Sequence, residues 1–371
     1  MISIKNVNIF ELKKRRSLIG KKFDFNLIYE KKNGLLKQKV TKELKKFLIK
    51  RYKSNQTNSS PMEKSKHRKK HGLRLFQLIK NNFKKSLSKK KVLEVGCGSG
   101  YLLKLFSKES SNVLGIEPSS NKHLEKKIKI EKSFYLDNKF KNKFDIIISN
   151  AVLEHEFNPD QFLKKSFNDL NYGGMNFTCV PGYSELIDNG DPTLINHEHI
   201  SYFTKNSLKF YFIKNNFSKV KVFSDKFGNL YGIGFKKRKI EKFLRKKIIK
   251  KNQDKIYEKK LYKCLKNIDY WIDKNKSYNL GLYGATSAIS TIFSKIKFNK
   301  KNIYIFDGDT QKQKKFVDTF PNPILDSKKI IKKNIKKIIV LPYFYEKEIK
   351  KFLIKKINFN SKNIKCLSNF F

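Results

Sequence analysis

Cysteine is scarce in this chain, arginine is scarcer than so basic a sequence would suggest, and no apolar run reaches bilayer length. The four cysteines, Cys97, Cys179, Cys264 and Cys366, lie far apart without a C-x-x-C spacing. They suggest neither a zinc site nor a disulfide framework, and no metal is expected. Without ~20 consecutive apolar residues there is no membrane-helix candidate. Met1-Ile2-Ser3-Ile4-Lys5 starts no signal peptide, so a cytoplasmic protein is expected. Arginine supplies only seven of the 84 basic residues, against 32 acidic ones, and the formal net charge is +52. Such a charge invites a nucleic-acid reading. Specific nucleic-acid contacts favour arginine, however, and the lysines spread over the whole chain beside abundant isoleucine and asparagine. That pattern reads as a compositional bias toward AT-rich codons. Weak nonspecific binding at low salt is expected either way.

What is present is enough to fold. With 371 residues, 39% hydrophobic and 13% aromatic, the chain can hold two or three domains. The organising stretch is Val92-Leu93-Glu94-Val95-Gly96-Cys97-Gly98-Ser99-Gly100, a β-type run entering a glycine turn, with helical spacing from Tyr101. Glycines let a backbone approach a ligand closely, and the following helix start supplies free N–H groups. A dinucleotide site would want G-x-G-x-x-G. Here the spacing is Gly96-x-Gly98-x-Gly100, with Glu94 two residues ahead, where a carboxylate suits a cationic ligand. Val113-Leu114-Gly115-Ile116-Glu117-Pro118 is a strand ending in an acid about 20 residues after the first glycine, the spacing for ribose hydroxyls.

The pattern E-x-G-x-G-x-G resembles motif I of class I S-adenosylmethionine-dependent methyltransferases. Phe144 to Asn150, followed by Ala151-Val152-Leu153-Glu154-His155, looks like the family's fourth strand, whose end flanks the cofactor. Leu170-Asn171-Tyr172-Gly173-Gly174 resembles its turn before strand five. The resemblance implies S-adenosylmethionine as cofactor, with Glu94, Gly96, Cys97, Gly98, Gly100, Glu117, Pro118 and Asn150 around it.

Along the chain, the expected organisation is a partly helical N-terminal extension over 1–85 and a methyltransferase domain over 86–238. A helical linker over 239–275 and a smaller Rossmann-like α/β domain over 276–371 follow. Alternation hints at a strand over Phe23 to Tyr29. Helical spacing marks Leu44 to Tyr52 and Leu73 to Leu87, and Asn55 to Pro61 reads as a polar boundary loop. His67 and His71, four apart in a basic run, read as a solvated helix face. Strands are expected near 91–95, 112–117, 144–149, 174–180, 218–224 and 230–236, the last two joined at Phe227-Gly228-Asn229. No third strand and no adenine-binding acid is evident over 128–137. Trp271, on the apolar stripe of the linker, reads as core.

Asn196-His197-Glu198-His199-Ile200-Ser201-Tyr202-Phe203-Thr204 is the least ordinary stretch. H-E-H is not the H-E-x-x-H zinc spacing, and on a strand it sets both histidines on one side. Histidine beside a carboxylate suits acid/base chemistry, its ordinary pKa being near ~6.5. Thr204 or Ser207 can cap the next helix. Glu198 to Thr204 looks like the E-H-x-S-Y-F-[ST] motif of sugar methyltransferases that include C-3 methyltransferases of deoxysugar pathways. That likeness implies a substrate site with Glu198 and His199, the histidine as candidate base, and His155 facing the same site. Two departures stand out. The family's N-terminal cysteine-rich zinc module has no counterpart before Cys97, and a tyrosine that some members carry before H-E-H is Asn196.

Leu280-Gly281-Leu282-Tyr283-Gly284, Ile303 to Asp309 and Ile338 to Ile349 form a second α/β unit like that family's C-terminal domain. Tyr202, Tyr283, Asp307 and Tyr343 are then substrate candidates, the last three for a nucleotide moiety, although Gly281-x-x-Gly284 reads equally as a packing turn. The expected function is methyl transfer to a small molecule, a nucleotide-linked sugar, on carbon or oxygen, in surface-polysaccharide or secondary-metabolite biosynthesis. The alternatives are an RNA methyltransferase, a non-catalytic nucleotide-sugar-binding protein and a nicotinamide-dependent oxidoreductase, the last disfavoured by Glu94.

Overall fold

The computed structural model describes residues 2–16, 21–54, 62–119, 128–238, 253–296, 300–317 and 320–371, the side chains of Lys66 and His67 excepted. The chain divides into two compact units, and neither is continuous in sequence. One comprises Glu30–Gly182 and Glu198–Lys250, the other Met1–Tyr29, Tyr183–His197 and Lys251–Phe371. The expected boundaries at 85, 238 and 275 therefore do not describe the compact units, and the first 85 residues form none of their own. The reason is pairing. The strand Ile2–Asn8 pairs antiparallel with Lys22–Glu30, and the Asn8 amide donates to Ser294 Oγ at 3.0 Å. The expected loop over 55–61 lies outside the described residues, as does 239–252 of the expected linker.

The first unit is built on a seven-stranded sheet: β1 (Lys91–Val95), β2 (Asn112–Ile116), β3 (Lys129–Glu131), β4 (Phe144–Asn150), β5 (Leu170–Pro181), β6 (Ser218–Ser224) and β7 (Asn229–Phe235). Its spatial order is 3-2-1-4-5-7-6. Strands 1 to 5 run parallel, and β7 pairs antiparallel with both β5 and β6. This is the class I methyltransferase fold. β3 is the strand the sequence did not reveal; it spans three residues in a lysine-rich segment. The Leu170 to Gly174 segment is the start of β5 itself rather than a turn ahead of it.

Alternation along these strands explains how both faces are covered. Leu93, Val95 and Ile147 enter one core with Phe162 and Phe212, whereas Val92, Ile146 and Ile148 enter the other. Successive strand residues point to opposite faces, so a buried parallel strand reads as a continuous apolar run. Helix α1 (Lys42–Lys53) is capped by Thr41, whose hydroxyl accepts from the Leu44 amide, and buries Leu44, Leu48 and Arg51 on one stripe. Helix α2 (Lys66–Phe83) sets Leu75, Phe76, Ile79 and Phe83 on the second core. Helix α3 (Tyr101–Phe106) begins directly after the glycine turn. Strands β1, β2 and β4 end at one edge and bring Gly96, Glu117 and Asn150 together, the usual ligand edge of such sheets.

In the second unit a four-stranded parallel sheet runs Ile303–Phe306, Asn279–Tyr283, Ile335–Val340, Ile364–Cys366. The helix Gln253–Lys274 buries Tyr257, Leu261, Cys264, Leu265, Ile268 and Ile272 within this unit, and Trp271 meets the Phe370 ring edge-on. Among the described residues, no helix is long and apolar enough to cross a membrane.

Candidate functional site

A cavity of about 640 Å³ opens at the carboxyl edge of β1, β2 and β4, a size ordinary for small-molecule sites. Among the described lining residues, carboxyl groups outnumber cations. Glu63, Glu94, Glu117, Asp137, Glu156 and Glu198 stand against Lys64 and Arg68. These carboxyl groups gather where a cationic ligand would sit.

The glycine turn forms one wall. Gly96 has φ +67°, its amide donates to the Ile116 carbonyl at 2.7 Å, and a Cβ there would lie 2.4 Å from Val152 Cγ2. Gly98, at φ +56°, has open space where its Cβ would be, so the bare backbone faces the cavity. Glu117 is pinned beside it: one oxygen accepts from the Gly98 amide at 2.9 Å, the other from the Ser119 amide and hydroxyl. Cys97 and Pro118 also line the cavity. Burial pushes the Cys97 thiol well up, which makes it inert. Glu94, 4% exposed, keeps one carboxylate oxygen without a hydrogen-bond partner among the described residues, and burial pushes its pKa up to about 8. A buried carboxylate with one oxygen to spare on a cavity wall is the natural counterion for a bound cation.

Asn150 closes the β4 end. Its Oδ1 lies 3.4 Å from His71 Nε2, and His71 Nδ1 lies 3.1 Å from Arg74 Nη2. A guanidinium only donates, so Nδ1 accepts and Nε2 carries the proton. Burial holds the His71 pKa down. Arg74 in turn pairs with Asp225 at 2.9 Å, in the turn between β6 and β7. His71 is thus part of the site's support, not a solvated face; His67 is outside the described side chains.

The opposite pole holds the histidines. His155, on the short turn Leu153–His155, lines the cavity. Its Nδ1 is 2.7 Å from the Glu198 carbonyl oxygen. A carbonyl only accepts, so Nδ1 carries a proton, and in the neutral ring the lone pair is then on Nε2, 3.8 Å from Glu154 Oε1. Tyr52, on α1, donates to the same carbonyl at 3.2 Å and lines the cavity. The His199 ring packs edge-on against His155, centroids 4.9 Å apart, and burial together with His155 holds its pKa well down. His155, not His199, is among the lining residues.

The Glu198 side chain departs from its expected use. Its carboxylate pairs with Arg51 at 2.9 Å, the two side chains only 3% and 9% exposed, while its carbonyl holds His155. The H-E-H stretch lies on a turn rather than a strand, so its two histidines part. His197 packs edge-on against Phe25, is held near Val7 O at 3.2 Å, and belongs to the other compact unit. Burial brings its pKa down to about 4. Glu154, His155 and His199 each offer a ligand atom within 4.8 Å of the others. No spacing in the sequence announced that cluster, because the fold alone joins its two segments.

Of the substrate candidates, Tyr202 is fully buried, with its ring 6.4 Å from His199. Tyr283, Asp307 and Tyr343 belong to the second unit, whereas every lining residue belongs to the first. The Asp307 carboxylate accepts from the Ala285 amide at 2.9 Å and pairs with Lys312, bracing the glycine turn as Glu117 does in the first unit. A Cβ on Gly284 would meet Pro342 at 2.3 Å, so this turn is one of close packing. The Tyr343 ring meets Phe344 edge-on and Phe371 at a tilt.

Arg51, Tyr52, Glu154 and Glu156 were not evident from sequence. One signal existed. Of seven arginines in a lysine-biased chain, Arg51, Arg68 and Arg74 all serve this site. An arginine retained against such a bias marks a place where the guanidinium fork is needed.

Residues 66–222 match the family described as "Methyltransferase domain". The chain is 30% identical over 94 residues to the ubiquinone biosynthesis O-methyltransferase of Nitrobacter winogradskyi, covering 23% of this chain and 36% of the relative. With the enzyme of that name from Pelagibacter ubique, identity is 32% over 106 residues, covering 26% and 44%. The chain thus spans less than half the length of these relatives. Among solved structures, a putative S-adenosylmethionine-dependent methyltransferase from Listeria monocytogenes superposes with a TM-score of 0.35 at 15% identity, covering 43% of this chain and 98% of that one. A methyltransferase from Archaeoglobus fulgidus gives 0.36 at 16% identity, covering 44% and 94%.

Proposed function

We propose that this protein is an S-adenosylmethionine-dependent methyltransferase acting on a small molecule, with a nucleotide-linked sugar as the acceptor class. The observation that carries the reading is the lock on His155: a ring whose Nδ1–H is committed to the Glu198 carbonyl turns its Nε2 to the acceptor pole, where the neutral ring carries its lone pair. The glycine turn would hold the cofactor, with Glu94 as counterion to its cationic methionine end and Glu117 as the acceptor for its ribose hydroxyls, and the bound group would supply the methyl on the side of Asn150 and His155. In-line transfer joins the methyl to an acceptor oxygen or carbon, breaks its bond to sulfur, and leaves the acceptor's proton on His155 Nε2. Glu154 stabilises the imidazolium from 3.8 Å, His199 backs the ring, and the Arg51–Glu198 pair keeps the carbonyl in place. Positioning supplies much of the rate, and base catalysis typically adds ~10²–10⁴-fold. The sugar class is supported by the Glu198 to Thr204 motif. The cytoplasm is the expected compartment, and Tyr283, Asp307 and Tyr343 remain candidates for contacts of the second unit with a nucleotide.

A second reading takes the acceptor as a phenol. Phe134, Tyr135 and Phe157 give the cavity an aromatic wall, and the relatives above are named as O-methyltransferases of ubiquinone biosynthesis.

The test is methyl-labelled S-adenosylmethionine with the full chain, offered separately to a nucleotide-sugar pool, a set of catechols and total RNA. Label in nucleotide sugars is expected. Label in the catechols alone would move the acceptor to the second reading, and label in RNA alone would overturn the small-molecule assignment.

A further inference from the structure

We propose that Glu154, His155 and His199 form a binding site for one divalent transition-metal ion of the zinc class, and that a bound ion and methyl transfer exclude one another. The ligand atoms already lie within 4.8 Å of one another. Glu154 is 1% exposed, and among the described residues its Oε2 has no hydrogen-bond partner, so this buried carboxylate has an acceptor to spare beside the two histidines. The His155 lone pair is on the correct nitrogen. With Nδ1–H given to the Glu198 carbonyl, Nε2 is left 3.8 Å from Glu154 Oε1. A ligating histidine that donates its other N–H to a carbonyl is the usual outer-shell arrangement of a metal site.

The two segments carrying the ligands are held in register, because the Ile200 amide donates to the Glu154 carbonyl at 2.7 Å. The donor set selects the ion. Two imidazoles and one carboxylate suit zinc, cobalt or nickel, whereas magnesium and calcium want oxygen throughout. The consequence for turnover follows from electron pairs. His155 Nε2 has one lone pair, and a cation that takes it removes the acceptor for the substrate's proton. This second half of the proposal rests on the methyl-transfer reading above; the binding site does not.

The experiment uses the full chain, stripped with a chelator and then titrated with zinc, with magnesium as control. One zinc per chain is expected, weakened ~10-fold or more in Glu154→Gln and in His199→Ala, both checked for unchanged circular dichroism and cofactor binding. Methyl transfer by the unaltered protein should fall ~10²-fold in step with zinc occupancy, and chelator should restore it. Zinc binding that is absent, or equal in all three proteins, overturns the site. Zinc bound with turnover unchanged or raised overturns the exclusion. One zinc per chain, lost in the variants, with no turnover on any acceptor before zinc is added, upholds the site while sinking the methyl-transfer reading.

Discussion

Replacing Glu94 with glutamine should uncouple cofactor binding from proton release. In the ligand-free protein, burial pushes this carboxyl up to about 8, so at pH 7 it is roughly nine-tenths protonated. A cofactor bearing a sulfonium and an ammonium favours the ionised form and draws the pKa down. Binding at pH 7 should therefore expel about 0.9 proton, and Kd should tighten close to tenfold per pH unit from 6 toward 7.5. Between pH 6 and 8 the linkage is about 50-fold, or ~2.3 kcal/mol. At 8 the carboxyl is half ionised, and the effect levels off about one pH unit higher. The assay is calorimetric titration with S-adenosylmethionine, without acceptor, in buffers of different ionisation enthalpy. Heats that vary with buffer for the native protein, and do not for Glu94→Gln, are the expected result. Buffer-independent heats with a pH-flat Kd in the native protein would refute the assignment of Glu94 as counterion.

Three further outcomes are expected. His155→Ala and His199→Ala should keep cofactor binding in calorimetry yet lose turnover, the first by ~10²–10⁴-fold as the lining base and the second by less, as its support; equal turnover to the native protein in both would remove the histidines from the reaction. Arg51→Ala strands the buried Glu198 carboxylate and should cost about 3–5 kcal/mol in urea unfolding, whereas a loss below ~1 kcal/mol would mean the pair is solvated. Gly96→Ala forces a Cβ into Val152 at a left-handed φ, so cofactor binding should vanish while Gly98→Ala, with open space, folds and only weakens it; tight binding by Gly96→Ala would contradict the turn.

Much of the first unit was legible because its signals are local. Apolar runs bounded by Gly96 and by Phe227-Gly228-Asn229 give strands within a residue or two of those found. The β3 strand was not, since three residues among lysines carry no periodicity. The compact units were not legible for a different reason. Strand pairing and packing join segments far apart in the chain, and composition does not record which strand pairs with which.

The candidate site divides along the same line. Glycine spacing, the acids at strand ends and the histidine-rich stretch announce their residue types in the sequence, because a tight turn, a strand terminus and a ligand-facing loop each demand particular side chains locally. Partnership is another matter. That Glu198 answers to Arg51 through its carboxylate and to His155 through its carbonyl, that His71 supports Asn150, and that Glu154 completes a cluster with two histidines all depend on the fold bringing distant segments within a few ångströms. Sequence by itself determined the chemistry available; tertiary structure decided which groups are buried, paired or turned toward the cavity, because burial and hydrogen-bond partners exist only once the sheet edge is assembled.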